Sequence, residues 1–83
     1  MSRDTLKAEV LRFLARVAPE ADLAALPPKA RLREELDLDS VDYFRFLLLL
    51  HEAWGLDIPE SDYARLGTLE GCLDYLESRI PGP

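Results

Sequence analysis

With 83 residues, the chain has room for one hydrophobic core and one domain over residues 1–83. Its 48% apolar content excludes a disordered polymer, and a net charge of −6 with 31% charged residues predicts a soluble, freely diffusing protein. Neither the longest apolar run, residues 46–50, nor the Met1-Ser2-Arg3-Asp4 start offers a membrane span or a signal core. One cysteine (Cys72) and one histidine (His51) exclude an internal disulfide and a closed zinc site, and the cysteine usage predicts a cytoplasmic setting.

The charge divides unevenly. Residues 1–33 carry seven bases (Arg3, Lys7, Arg12, Arg16, Lys29, Arg31, Arg33) and four acids, a net +3; residues 34–83 carry a net −9. An acidic second half disfavours nucleic acid, whose phosphates need clustered bases, and favours basic protein surfaces.

In chain order, Leu6, Val10, Phe13, Leu14 and Val17 recur at helical spacing. They predict a first helix with Asp4 as its N-cap and Pro19 as its stop. Residues 18–39 read as a long connection, because Pro19, Pro27 and Pro28 forbid a continuous helix. Leu23, Leu26, Leu32, Leu36 and Leu38 are spaced along it as pins to the bundle.

A central helix is predicted from Ser40 to just before Gly55, a natural C′ residue. Asp39 and Asp42 bracket its start at Ncap-to-N3 spacing, and Ser40 lies in the first turn, where backbone N–H groups have no internal partner. A phosphate on the Ser40 hydroxyl would meet free donors and a favourable dipole. The helix has two apolar faces. Tyr43, Phe46, Leu47, Leu50 and Trp54 form one, expected as core. Val41, Phe44 and Leu48, flanked by Arg45, His51 and Glu52, form the other. A small bundle can hardly bury both, so the second face is expected to stay partly exposed for a partner, with packing against the long loop as the alternative.

Pro59 keeps Leu56–Ile58 extended, residues 60–66 make one or two helical turns, and Thr68 caps a last helix striped with Leu69, Cys72, Leu73, Leu76 and Ile80. Pro81-Gly82-Pro83 ends it. The expected fold is all-α: a small three-to-four-helix bundle with a long loop between the first and second helices. Taken alone, Ser40 reads as a capping serine, Asp39 and Asp42 as capping acids, Cys72 as a buried apolar side chain and His51 as a solvated helix residue. A Cys72–His51 dyad would need two faces of the bundle to meet. Glu34, Glu35 and Asp37 are either plain surface charge or an acidic rim. The chain shows no paired catalytic groups, glycine-rich phosphate loop or metal spacing.

The order of these pieces resembles the acyl carrier proteins. Asp39-Ser40-Val41-Asp42 is similar to their Asp-Ser-Leu-Asp motif at a helix start. Ala53-Trp54-Gly55-Leu56-Asp57-Ile58-Pro59-Glu60 resembles their Glu-Phe-Gly-Ile-x-Ile-Pro-Asp stretch, and Thr68-Leu69 with Asp74-Tyr75-Leu76 their last helix. The resemblance covers nearly the whole chain and implies an acyl-carrier-like fold. It implies a monomeric carrier rather than an enzyme, with Ser40 modified by 4′-phosphopantetheine from coenzyme A through a phosphopantetheinyl transferase. The arm's thiol would carry acyl groups as thioesters between acyl-transferring or acyl-modifying enzymes of fatty-acid, polyketide or related biosynthesis. Asp39 and Asp42 would flank the attachment site, and Val41, Asp42, Phe44, Arg45, Leu48, His51 and Glu52 would dock partners.

Arg45 and His51 stand where the common fatty-acid members have glutamate, Phe44 replaces a smaller aliphatic, and Asp37-Leu38 replaces a Gly-x pair. These departures point to a specialised, freestanding bacterial-type carrier with dedicated partners. Carriers of amino acids have Gly-Gly-x-Ser before the helix, which Asp37-Leu38-Asp39-Ser40 does not match. The alternative is an unmodified helical interaction module that grips a partner through the outer face of the central helix.

Overall fold

The computed structural model describes residues 2–80. They form a helical bundle with α1 at Arg3–Val17, α2 at Leu32–Glu35, α3 at Ser40–Trp54 and α4 at Leu69–Arg79. Short 3₁₀ segments cover Leu23–Ala25 and Glu60–Leu66. The described residues contain no strand, only an isolated antiparallel bridge between Arg31 and Thr68.

α1 begins earlier than its acidic residue suggested. Ser2, not Asp4, is the N-cap: its hydroxyl accepts the Thr5 N–H at 3.2 Å, and Asp4 falls inside the first turn. There its carboxylate still favours the dipole, so the dipole argument survives and the cap assignment does not. The earlier start brings Arg3 into the helix, where it bonds Asp74 at 3.0 Å and also Glu77, tying α1 to α4. Leu6, Val10 and Leu14 are buried along one stripe.

The connection between α1 and α3 is less irregular than expected, because α2 gives it one helical turn. Four residues are too short to show a period, which is why the sequence read as loop. The leucine pins hold: Leu32 and Leu38 are buried, and Leu23, Leu26 and Leu36 pack against the core. Two backbone bonds stitch the segment to the start of α4, Leu32 N–H to the Gly67 carbonyl at 2.8 Å and Glu70 N–H to the Pro28 carbonyl at 2.9 Å. After α2 the chain reverses through Asp37, whose φ of 52° is the one positive value at a non-glycine among the described residues. Leu38 N–H then closes on the Arg33 carbonyl at 2.9 Å. Aspartate tolerates this left-handed conformation, and a β-branched residue does not. Asp37→Val is therefore expected to lose about 1–2 kcal/mol in urea unfolding, with Asp37→Gly holding or exceeding the parent value. A stable valine variant would show that this turn is not fixed by its backbone conformation.

α3 keeps both expected boundaries. The Asp39 carboxylate accepts the Asp42 N–H at 2.8 Å, and Gly55, at φ 63°, closes the helix by donating to the His51 carbonyl. Phe46, Leu47 and Leu50 are buried, with Tyr43 and Trp54 at the margins. Trp54 meets Phe13 of α1 edge-to-face, the ring centroids 5.9 Å apart. Thr68 caps α4 through the Gly71 N–H at 2.9 Å, and Leu69, Cys72, Leu73, Tyr75 and Leu76 fill the core from that side. Each such aliphatic side chain contributes roughly 1.5–3 kcal/mol on burial. α4 ends at Arg79; the predicted stop at Pro81-Gly82-Pro83 lies outside the described residues.

The Glu60–Leu66 turn is held by α3 and α4 together. Tyr43 Oη donates to the Tyr63 carbonyl at 2.6 Å, Tyr75 Oη donates to Asp62 at 2.8 Å, and Arg79 reaches the same carboxylate at 3.3 Å. The guanidinium carbons of Arg65 and Arg79 lie 5.0 and 4.7 Å from the Tyr75 ring centre. Burial, more than any neighbouring charge, pushes the Tyr43 phenol up to about 12, so it remains a donor.

Candidate attachment site

The start of α3 presents Ser40 at the surface. Capping falls to Asp39, which leaves the Ser40 hydroxyl with no backbone duty at the helix start. Instead Oγ accepts from Arg33 Nη2 at 3.2 Å. The reversal at Asp37 brings that guanidinium alongside, seven residues before the serine it touches. Arg33 also lies 5.9 Å from the Tyr43 ring centre. A groove of about 930 Å³ opens beside Ser40, between α3 and the Glu60–Leu66 turn, with Arg31, Arg33, Leu38, Tyr43, Tyr63 and Thr68 in its walls. The first-turn N–H groups of α3 and the dipole of its fifteen residues make this end favourable to an anion.

Along α3 from Ser40, Val41, Phe44 and Leu48 are 60%, 53% and 43% exposed, and they are the large hydrophobics that stand out on the described surface. The second apolar face is thus left open rather than packed on the long connection. Arg45, His51 and Glu52 are exposed around it, and Asp42 is half-buried. A smaller hollow of about 420 Å³ lies beside Phe44, Leu48 and His51, floored by Leu47 and Ile58. One ring nitrogen of His51 pairs with the Leu56 carbonyl just beyond the helix, so His51 also closes the C-terminal turn of α3.

Cys72 is not near this surface. Its buried thiol donates to the Leu66 carbonyl at 3.2 Å, and burial pushes it up to about 12. The structure does not bring Cys72 and His51 together; each is committed to a different backbone carbonyl. Glu34 borders the groove, while Glu35 and Asp37 are exposed. Among the described residues no group of three His, Cys, Asp or Glu side chains could hold a metal, and no helix is long and apolar enough to cross a membrane.

A family model described as the phosphopantetheine attachment site matches residues 4–76, most of the chain. The chain belongs to the acyl carrier protein family. It is 30% identical over 71 residues to an acyl carrier protein of Rubrobacter xylanophilus, covering 82% of this chain and 88% of that one. An acyl carrier protein of Thermosynechococcus vestitus is 30% identical over 53 residues, 64% of this chain and 65% of its own. One from Micrococcus luteus is 26% identical over 74 residues, 86% of this chain and 91% of its own. Attachment domains of acyl carrier proteins bear 4′-phosphopantetheine covalently.

The residues present fit that group. The α3 start offers an accessible hydroxyl released from capping, a guanidinium within hydrogen-bond distance of it, and an open groove alongside. The chain's own thiol, by contrast, is buried and held neutral, so Cys72 has neither the exposure nor the thiolate character to carry an acyl group. Sequence reasoning placed Ser40 in the first turn of the helix, Asp39 as a capping acid and the second apolar face as open, as the structure has them. It missed Arg33, Tyr43 and Tyr63 as groove residues, because their proximity depends on the Asp37 turn and on the seat of the Glu60–Leu66 segment.

Proposed function

We propose that this acyl carrier is a single carrier domain loaded on Ser40, and that it serves specialised acyl-transferring or acyl-modifying enzymes. The observation that carries this reading is the exposed Ser40 hydroxyl at the first position of α3, relieved of capping by Asp39 and contacted by Arg33. On loading, a bond forms between Ser40 Oγ and the pantetheine-side phosphorus of coenzyme A. The diphosphate bridge breaks, 3′,5′-adenosine diphosphate leaves, and the hydroxyl proton passes to the transferase. Bound there, the group supplies a terminal thiol that holds acyl chains as thioesters. The chain itself positions the phosphodiester at a helix start and offers a face for enzymes to dock, and tethering raises the effective concentration of substrate at each docked enzyme.

Partner docking is assigned to Val41, Phe44 and Leu48, with Asp42, Arg45, His51 and Glu52 as the rim. The exposed apolar centre ringed by charge supports that assignment. Arg45 makes no ion pair among the described residues, and its place on the rim favours partners with a carboxylate opposite it over uniformly basic ones. Phe44→Ser is expected to raise the KM for loading by a broad-specificity transferase about tenfold, with kcat little changed and stability within about 0.5 kcal/mol of the parent. An unchanged KM would remove Phe44 from the docking face.

The direct test is intact mass after incubation with coenzyme A, magnesium and a broad-specificity phosphopantetheinyl transferase, followed by peptide mapping. A gain of one phosphopantetheine on the peptide holding Ser40 is expected. A folded protein that gains nothing would leave the interaction module, for which the open face of α3 also speaks, as the better reading.

A further inference from the structure

Four of the eight arginines are held by carboxylates among the described residues. Arg3, Arg12, Arg65 and Arg79 each face a carboxylate at 3.9 Å or closer. Arg33 does not: among the described residues it has no carboxylate within ion-pair distance, although the chain holds 16 acids against 10 bases. Its Nη2 points at the Ser40 hydroxyl instead, a neutral acceptor that uses one of the five guanidinium N–H groups. Asp39, the nearest acid in sequence to Ser40, spends its carboxylate on the Asp42 N–H. Arg31, on the wall of the same groove, also lacks an ion pair among the described residues. An unpaired cation is thus held beside the attachment hydroxyl, in the basic part of an acidic chain.

Its position is fixed from both sides. Arg33 belongs to α2, which Leu32 anchors in the core, and its carbonyl is tied to Leu38 N–H across the Asp37 reversal. The guanidinium is steered on its other flank by the Tyr43 ring. When Ser40 Oγ becomes an ester oxygen, phosphorus is bonded to it and the anionic phosphate oxygens sit two bonds away. The guanidinium already at Oγ then meets them as a charge-assisted pair, with N–H groups to spare for bidentate contact.

We propose that Arg33 is the positioning residue of the prosthetic group, its guanidinium holding the phosphodiester carried by Ser40. The inference rests on Ser40 being the attachment residue. Arg33 restrains the root of the arm, and the role needs both its charge and its place after α2. The pair is exposed and therefore weakens with salt.

The test uses the parent, Arg33→Gln and Arg33→Lys, each loaded to one phosphopantetheine as judged by intact mass, beside their unloaded forms. The phosphorus-31 resonance of the loaded parent is expected to move between about 20 and 500 mM sodium chloride as the pair is screened. In Arg33→Gln it should stay near the parent's high-salt position throughout, and Arg33→Lys should restore part of the salt dependence. At low salt the melting temperature of loaded minus unloaded protein should fall by about 2–4 °C in Arg33→Gln relative to the parent, the unloaded forms melting together. Coincident phosphorus resonances in parent and Arg33→Gln at both salt concentrations would overturn the inference and leave loading at Ser40 intact. A parent that accepts no phosphopantetheine would overturn both.

Discussion

Ser40→Ala is expected to abolish phosphopantetheine loading outright while changing the unfolding free energy by less than about 1 kcal/mol. The two halves of this result come from different atoms. Loading needs the Oγ nucleophile, and no other residue of the Asp39-Ser40-Val41-Asp42 motif supplies a hydroxyl. Stability needs the cap, and that belongs to Asp39, whose carboxylate takes the Asp42 N–H. What Ser40 contributes to the fold is one surface hydrogen bond from Arg33, worth little against solvent. Asp39→Ala is the complementary change: loss of the cap costs about 1 kcal/mol while leaving the hydroxyl in place. Intact mass and urea unfolding on both variants separate the functions. A Ser40→Ala protein that still gains mass would move the attachment elsewhere, and one that unfolds several kcal/mol more easily would give the hydroxyl a structural role absent from the geometry.

The elements that were legible in the sequence are those set by local rules. α3 begins at Ser40 and ends at Trp54 because an aspartate cap and a left-handed glycine are both readable from residue type. Its two faces follow from spacing alone, and the expectation that only one could be buried matches Phe46, Leu47 and Leu50 inside against Val41, Phe44 and Leu48 outside. Thr68 as the cap of α4 is of the same kind. The misreadings also have local causes. Ser2 and Asp4 are both good caps two residues apart, and residue type does not rank them; Arg3 decides by reaching Asp74 and Glu77 across the bundle. α2 is a single turn, below the length at which periodicity speaks.

The candidate site was legible in the exposed serine at the helix start and not in its surroundings. Arg33 reads in sequence as one of several bases in a loop. It comes beside Ser40 because Asp37 adopts a left-handed conformation, at the position that matches the glycine of the family's Gly-x pair. His51 shows the converse. Its exposed position beside the open apolar face follows from spacing, but its bond to the Leu56 carbonyl adds a structural role that spacing does not reveal.

The largest loss of stability is expected from a gain of one methyl group, in Gly71→Ala. In an exposed helix this change stabilises by about 1 kcal/mol. Here a Cβ at position 71 would lie 2.3 Å from the Arg65 carbonyl oxygen and 3.0 Å from the Thr68 hydroxyl that caps α4. A backbone oxygen cannot rotate away, so the Glu60–Leu66 turn must lift from the first turn of α4. Leu66 is fully buried, and the Cys72 thiol bonds its carbonyl, so the shift opens the core as well as the surface. The Tyr43 bond to the Tyr63 carbonyl and the Tyr75 bond to Asp62 are strained by the same movement. Overpacking and a disturbed cap together outweigh the helix preference, for a net loss of about 2–3 kcal/mol. For a chain this short that corresponds to a drop in melting temperature on the order of 10–20 °C. Because the same turn forms one wall of the groove beside Ser40, its displacement should also raise amide hydrogen exchange at Tyr63 and Ala64 while α1 stays protected. A Gly71→Ala protein as stable as the parent would mean that the turn is not seated on α4 in solution, and the groove would then have no fixed second wall.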